Sequence, residues 1–159
     1  MKQFMIMLFL ALFMVSGASA NEIYIDQVGD NLDLDIVQDG QNNQFGDSTT
    51  AIDLDGDDMT FSITQQGTSN DIAAVINGNS YTGTWSFVGD YNTVDLTCDS
   101  AGTNCENITL NITTTGDTND YKFSIGNTAD ADGSTIAFTV TGDNNIFDTT
   151  INGKSVALS

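Results

Sequence analysis

Apolar and polar residues alternate along most of the chain, and the alternation arrives in blocks that end on asparagine. Aligned on that residue, the blocks read LDLDIVQDGQNN, MTFSITQQGTSN, YTGTWSFVGDYN, ITLNITTTGDTN and STIAFTVTGDNN. Every second position in them is mostly apolar: Leu32, Leu34 and Ile36; Met59, Phe61 and Ile63; Tyr81, Trp85 and Phe87; Ile108, Leu110 and Ile112; Ile136, Phe138 and Val140. A period of two marks a strand with one buried face. Gly83 and Ser134 are the weak positions. Beyond each asparagine the alternation restarts, with inward sets Ile23, Ile25, Gln27; Phe45, Asp47, Thr49; Ile72, Ala74, Ile76; Val94, Leu96, Cys98; Tyr121, Phe123, Ile125; and Phe147, Thr149, Ile151. Asp47 and Thr49 make the second set a poor core.

The blocks are units of a repeat. A Gly-x-x-Asn tetrad recurs at Gly40 to Asn43, Gly67 to Asn70, Gly89 to Asn92, Gly116 to Asn119 and Gly142 to Asn145, with Asn21 one period earlier. The asparagines lie 22, 27, 22, 27 and 26 residues apart, a spacing that belongs to solenoids. The expected fold is all-β: a two-sheet β-solenoid of about five and a half two-strand coils, 22 to 27 residues per coil. Glycine at positive φ and asparagine in the left-handed region fix the length of one corner. The other corner is expected to absorb the extra residues, at Thr50 to Asp58, Asp99 to Asn107 and Asn127 to Gly133. No coil can bury its apolar face alone, so neighbouring coils must supply the stability. Neither end of the stack looks capped, and open strand edges are templates for another chain.

Ahead of the repeat, Lys2 is followed by an apolar run from Phe4 to Val15 and by Ala18-Ser19-Ala20. That is the pattern of a secretory signal peptide over residues 1–20, which leaves residues 21–159 as one exported domain with no membrane insertion. The exported part carries 22 acids against Lys122 and Lys154, with no arginine or histidine. Such a chain repels nucleic acid and anionic surfaces, and its natural small partners are cations. In an oxidising compartment, Cys98 and Cys105 are expected to pair as a disulfide; two thiols without histidine fall short of a zinc site.

The residues NEIYIDQVGDNLDLDIVQDGQNN resemble a curlin repeat, with Gln27-x-Gly29-x-Asn31 after one alternating strand and Gln38-x-Gly40 before an asparagine after the next. MTFSITQQGTSN repeats the pattern with Gln65 and Gly67. The resemblance implies amide ladders along a fibre axis, end-to-end self-association, a related fibre subunit and an outer-membrane export system. It implies an extracellular amyloid subunit serving adhesion or a biofilm matrix. Gln27, Gln38 and Gln65, all inward, suggest a glutamine ladder, because a buried amide must be bonded. In later coils this position holds Phe87, Thr114 and Val140.

Two further features bear on function. The outward positions of four coils, among them Thr60, Thr64, Thr82, Thr84, Thr109, Thr113, Thr135 and Thr139, carry no charge, whereas the opposite sheet shows Glu22, Asp26, Asp71, Asp95, Asp120, Lys122 and Asp148. Threonine suits a solvated strand, but an ordered hydroxyl array can also contact another fibril, a polysaccharide or ice. Asp53, Asp55 and Asp57 around Gly56, and Asp130 and Asp132 before Gly133, alternate as calcium ligands do, so Ca²⁺ is the one cofactor this chain can be expected to take. Without histidine the usual catalytic triads are missing, and a non-enzymatic role is expected. The alternative to a fibre subunit is a monomeric acidic solenoid that binds a surface, glycan, ice or calcium.

Overall fold

The computed structural model describes residues 21–98, 105–126 and 131–159; the expected signal peptide lies outside them. The described chain is strand and turn throughout: β1 (Glu22–Ile23), β2 (Asp26–Val28), β3 (Asp33–Asp39), β4 (Gln44–Phe45), β5 (Ile52–Asp55), β6 (Thr60–Gln66) and β7 (Asp71–Asn77), followed by β8 (Thr82–Val88), β9 (Thr93–Cys98), β10 (Thr109–Thr115), β11 (Asp120–Ile125), β12 (Thr135–Thr141), β13 (Ile146–Ile151) and β14 (Ala157–Leu158). Every pairing is parallel. One sheet runs β1-β4-β7-β9-β11-β13, with β5 between β2 and β7; the other runs β3-β6-β8-β10-β12-β14. The chain therefore winds as a two-sheet β-solenoid of five full coils and part of a sixth.

Parallel stacking makes equivalent inward residues neighbours, and the core is built from these columns. In the second sheet Ile36, Ile63, Trp85, Ile112 and Phe138 form one column. Another runs through Leu34, Phe61, Gly83, Leu110, Ile136 and Leu158. Gly83 leaves no hole, since a Cβ there would lie 2.6 Å from Leu110 Cδ1 and 2.9 Å from the Tyr81 hydroxyl, which have taken its space. Trp85 is wholly buried and donates from Nε1 to that hydroxyl at 3.2 Å, while burial pushes the Tyr81 phenol far up. Ser134 is buried too and accepts from the Ile108 N–H at 3.2 Å, so this weak core position is satisfied by hydrogen bonding.

The second coil corrects the expected frame. Asp47 and Thr49 do not point inward; Ile52 and Leu54, both fully buried, occupy those positions opposite Ala74 and Ile76. The ladder shows the skip, with Gly46 N–H bonded to Ile23 O and the next rung, Asp53 N–H, bonded to Ile25 O, each at 2.9 Å. The five extra residues thus leave the middle of the strand, where Asp47 Oδ1 accepts the N–H groups of Thr49 and Thr50 at 2.7 and 2.5 Å. A carboxylate that caps its own turn there is more stable in place than two polar groups in the core.

It follows that the second corner does not vary in length. Gly29-Asp30-Asn31, Gly56-Asp57-Asp58, Gly78-Asn79-Ser80, Cys105-Glu106-Asn107, Ala131-Asp132-Gly133 and Gly153-Lys154-Ser155 stack as one three-residue corner. The expected corner extensions are corrected accordingly: the extra residues of the fourth and fifth coils precede Cys105 and Ala131, and 99–104 and 127–130 lie outside the described residues.

Candidate functional site

The tetrad corner sets the first candidate feature. Gly40, Gly67, Gly89, Gly116 and Gly142 have φ between 132° and 151°, and a Cβ on Gly67 would lie 1.5 Å from Gly40 O in the preceding coil. Only glycine permits that backbone and that approach. The left-handed residue is not the tetrad asparagine, as expected from sequence, but the one before it: Asn42, Ser69, Tyr91, Thr118 and Asn144, at φ 55° to 61°. At the other corner Asn31 occupies this left-handed position, at φ 61°.

The turn frees the tetrad asparagine to point inward. Asn21, Asn43, Asn70, Asn92, Asn119 and Asn145 form a continuous ladder, each Nδ2 donating to the Oδ1 of the next at 3.0, 2.9, 2.7, 2.7 and 2.7 Å. The second proton of the amide goes to a backbone oxygen: Gly67 O for Asn70 at 3.1 Å, Gly116 O for Asn119 at 2.6 Å and Gly142 O for Asn145 at 2.8 Å. Asn92 donates likewise to Gly89 O. Asn43, Asn70, Asn92 and Asn119 are at most 1% exposed, so each amide exchanges water for these bonds.

The glutamine ladder is shorter than the sequence suggests. Gln65 Nε2 donates to Gln38 Oε1 at 2.7 Å, and Gln38 Nε2 to Asn21 O at 2.7 Å. Gln27 does not join them; it belongs to the other sheet, opposite Leu54, and its Nε2 turns back to Gly29 O at 2.7 Å. Next to Gln65 stands Phe87, so the ladder stops and Gln65 Oε1 is buried without a partner among the described residues.

The outer face of the second sheet presents the threonines in register. Thr60, Thr82, Thr109 and Thr135 form one column; Thr64, Ser86, Thr113 and Thr139 another; Thr84 stands between Ser62 and Asn111. Their side chains are exposed except those of Ser62 and Ser86, which are half-buried. The first coil adds Asp33, Asp35, Val37 and Asp39 to the four columns, so the uncharged field spans the four coils beyond it. The opposite face is acidic. Burial, then Asp26 and Asp55, raises the Asp53 pKa, and burial, then Asp47 and Asp95, raises that of Asp71; the Thr50 and Thr49 N–H groups lower that of Asp47. Lys122 bridges to Asp95 at 2.9 Å.

The acids read as a calcium loop are placed differently. Asp53 and Asp55 project outward from β5, while Asp57 sits at the corner and accepts the Asn79 N–H through Oδ1 at 2.7 Å. Among the described residues no three acidic, histidine or cysteine side chains converge as a metal ligand set. Of the second acidic turn, Asp130 lies outside the described residues and Asp132 accepts the Lys154 N–H. Sequence reasoning missed this role: Asp30, Asp57, Asp90 and Asp117 each accept the backbone N–H of the next coil at 2.7 to 2.9 Å. The recurrent Gly-Asp pair is the signal that could have shown it.

Cys98 and Cys105 form a disulfide with Cα atoms 6.1 Å apart. Their equivalents in the third coil, Ile76 and Gly78, are two residues apart, so the bridge spans a five-residue insertion and holds the strand end beside the corner. Comparison with protein-family models, with curated proteins and with solved structures finds no match to this chain.

Proposed function

We propose that this chain is an exported structural subunit of a curli-like extracellular fibre, built by adding solenoids end to end, and that it is not an enzyme. The observation that carries the reading is the complementarity of the two outer rungs. At one, Asn21 Oδ1 accepts no hydrogen bond among the described residues; at the other, Asn145 is the last acceptor of the ladder, and its Nδ2 donates to Gly142 O and to no further asparagine among the described residues. A second copy stacked in the same orientation continues the ladder with its polarity intact and pairs both strand edges. Gln38 and Gln65 add a second amide stack next to the joining end. Adhesion and a biofilm matrix are the roles such a fibre would serve.

Charge sets the conditions. With 22 acids against two lysines, stacked copies of residues 21–159 repel until salt shortens the screening length to about 8 Å at physiological ionic strength. Assembly is therefore expected to need salt or divalent cations. The test is electron microscopy of residues 21–159 in high-salt, calcium-containing buffer, where fibres with an axial repeat of about 4.8 Å are expected. Gly29→Ala is the blocking variant. Gly29 lies at φ 134°, so a side chain there strains the turn and the variant is first shown to be folded by Trp85 fluorescence; in space, a Cβ on Gly29 meets nothing nearer than Gln27 Nε2 at 3.6 Å, whereas the equivalent Cβ on Gly56 lies 2.2 Å from the carbonyl of the coil before it. A folded Gly29→Ala protein that fails to elongate supports stacking at this end. Persistent monomers of the unaltered protein, or normal fibres from Gly29→Ala, overturn it.

A further inference from the structure

The coils differ in length, yet none of that irregularity reaches the second sheet. β6, β8, β10 and β12 are seven residues each and pair residue for residue. The excursion after Gly46 and the insertions before Cys105 and Ala131 all fall on the first half of their coils. The outer face of the second sheet is therefore an unbroken grid, about 4.8 Å between coils and about 6.7 Å between outward side chains along a strand.

The chemistry of the grid narrows its occupant. It carries hydroxyls, methyls and the amides of Gln66 and Asn111 but no charge on a protein of net charge −19, so ions and phosphates find no charge to pair with. It is a sheet face rather than a concavity that could enclose a small molecule, and its outward positions hold no aromatic ring. Four strands of seven residues span about 19 by 23 Å, so a pair of such faces would bury about 900 Å² in all, under the roughly 1,000 Å² a stable protein contact needs. The Asp33, Asp35 and Asp39 rung ends the field on one side and opposes its extension along stacked copies.

We propose that this face binds ice. A crystal of water is an extended, uncharged, periodic array of donors and acceptors. Against it each threonine hydroxyl can bond a lattice water directly or through one bridging water, while its methyl group leaves the liquid. β-Branching restricts χ1 and the stacked backbone fixes the spacing, so little side-chain freedom is lost on binding. Single contacts are weak, and the in-register array makes them additive.

The test uses residues 21–159 in low salt, where charge repulsion is expected to keep copies apart and ultracentrifugation verifies that they are monomeric, so the result is independent of fibre assembly. Thermal hysteresis and ice-crystal shaping are measured for the unaltered protein, for Thr84→Tyr and Thr113→Tyr on the grid, and for Thr93→Tyr on the opposite face. Buried Trp85 reports that each variant is folded. The expected result is hysteresis with faceted crystals for the unaltered protein and for Thr93→Tyr, and its loss in both grid variants. Absence of hysteresis in the unaltered protein, or its retention in the grid variants, overturns the proposal. Grid variants that abolish self-association in ultracentrifugation without changing ice growth also overturn it, assigning the face to a second copy.

Discussion

The asparagine ladder makes a quantitative test of what holds the coils together, because two of its members make similar bonds in different surroundings. Asn70 accepts from Asn43 at 2.9 Å and donates to Asn92 at 2.7 Å and Gly67 O at 3.1 Å, with 1% of its surface exposed. Asn145 accepts from the Asn119 side chain at 2.7 Å and donates to Gly142 O at 2.8 Å, but it lies at an outer rung and is half-buried. In Asn70→Ala, three bonds worth about 1 kcal/mol each are lost and the Asn92 oxygen is stranded away from water, for a total of about 4 kcal/mol. In Asn145→Ala, water reaches the orphaned groups and the loss is about 1 kcal/mol. The larger value is a sizeable part of the roughly 5–15 kcal/mol that holds such a domain folded. Urea unfolding followed by Trp85 fluorescence, with unchanged slope, gives both numbers. If the two variants fall within about 0.5 kcal/mol of each other, desolvation of the inner amides is not what makes the ladder stabilising.

Other consequences follow from single contacts. Replacing Cys98 and Cys105 together by alanine opens a loop of sequence separation 7 and is expected to lower stability by about 2.5 kcal/mol, read as a shift in thermal midpoint that reductant reproduces in the unaltered protein. Gly67→Ala drives a Cβ to 1.5 Å from Gly40 O and should abolish cooperative unfolding, whereas a soluble, cooperatively folded variant would contradict the corner geometry. Burial, with Asp47 and Asp95 nearby, raises the Asp71 pKa, so its ionised form is penalised in the folded state at neutral pH and the penalty is relieved as pH falls through the raised pKa. Asp71→Asn should therefore be more stable than the unaltered protein at pH 7, and the gap should close on acidification; a gap that widens refutes the sign.

Much of the architecture was legible because side-chain period and corner chemistry are local. The aligned blocks share one register, and the regularity of Gly-x-x-Asn marks the corner that forms the ladder. The second coil was not legible in the same way. FGDSTTAIDLD alternates in two possible frames, and only stacking against Ala74 and Ile76 selects Ile52 and Leu54 over Asp47 and Thr49. The glutamine ladder was extended to Gln27 because an inward glutamine before a glycine recurs in both halves of the first coil, although Gln27 stands on the other sheet from Gln38 and Gln65.

By itself, then, the sequence determined that the chain is a two-sheet β-solenoid and which residues face its interior in the regular coils, since both follow from spacing along one strand and one turn. The tertiary structure decided what depends on the coil above and below: that Asn21 to Asn145 form one ladder while the glutamines stop at Phe87, that corner aspartates bond the next coil's backbone, and that length variation is confined to one half of the coil. Contacts between residues 22 to 27 positions apart are set by stacking, and the pattern along a single strand carries no information about its neighbours.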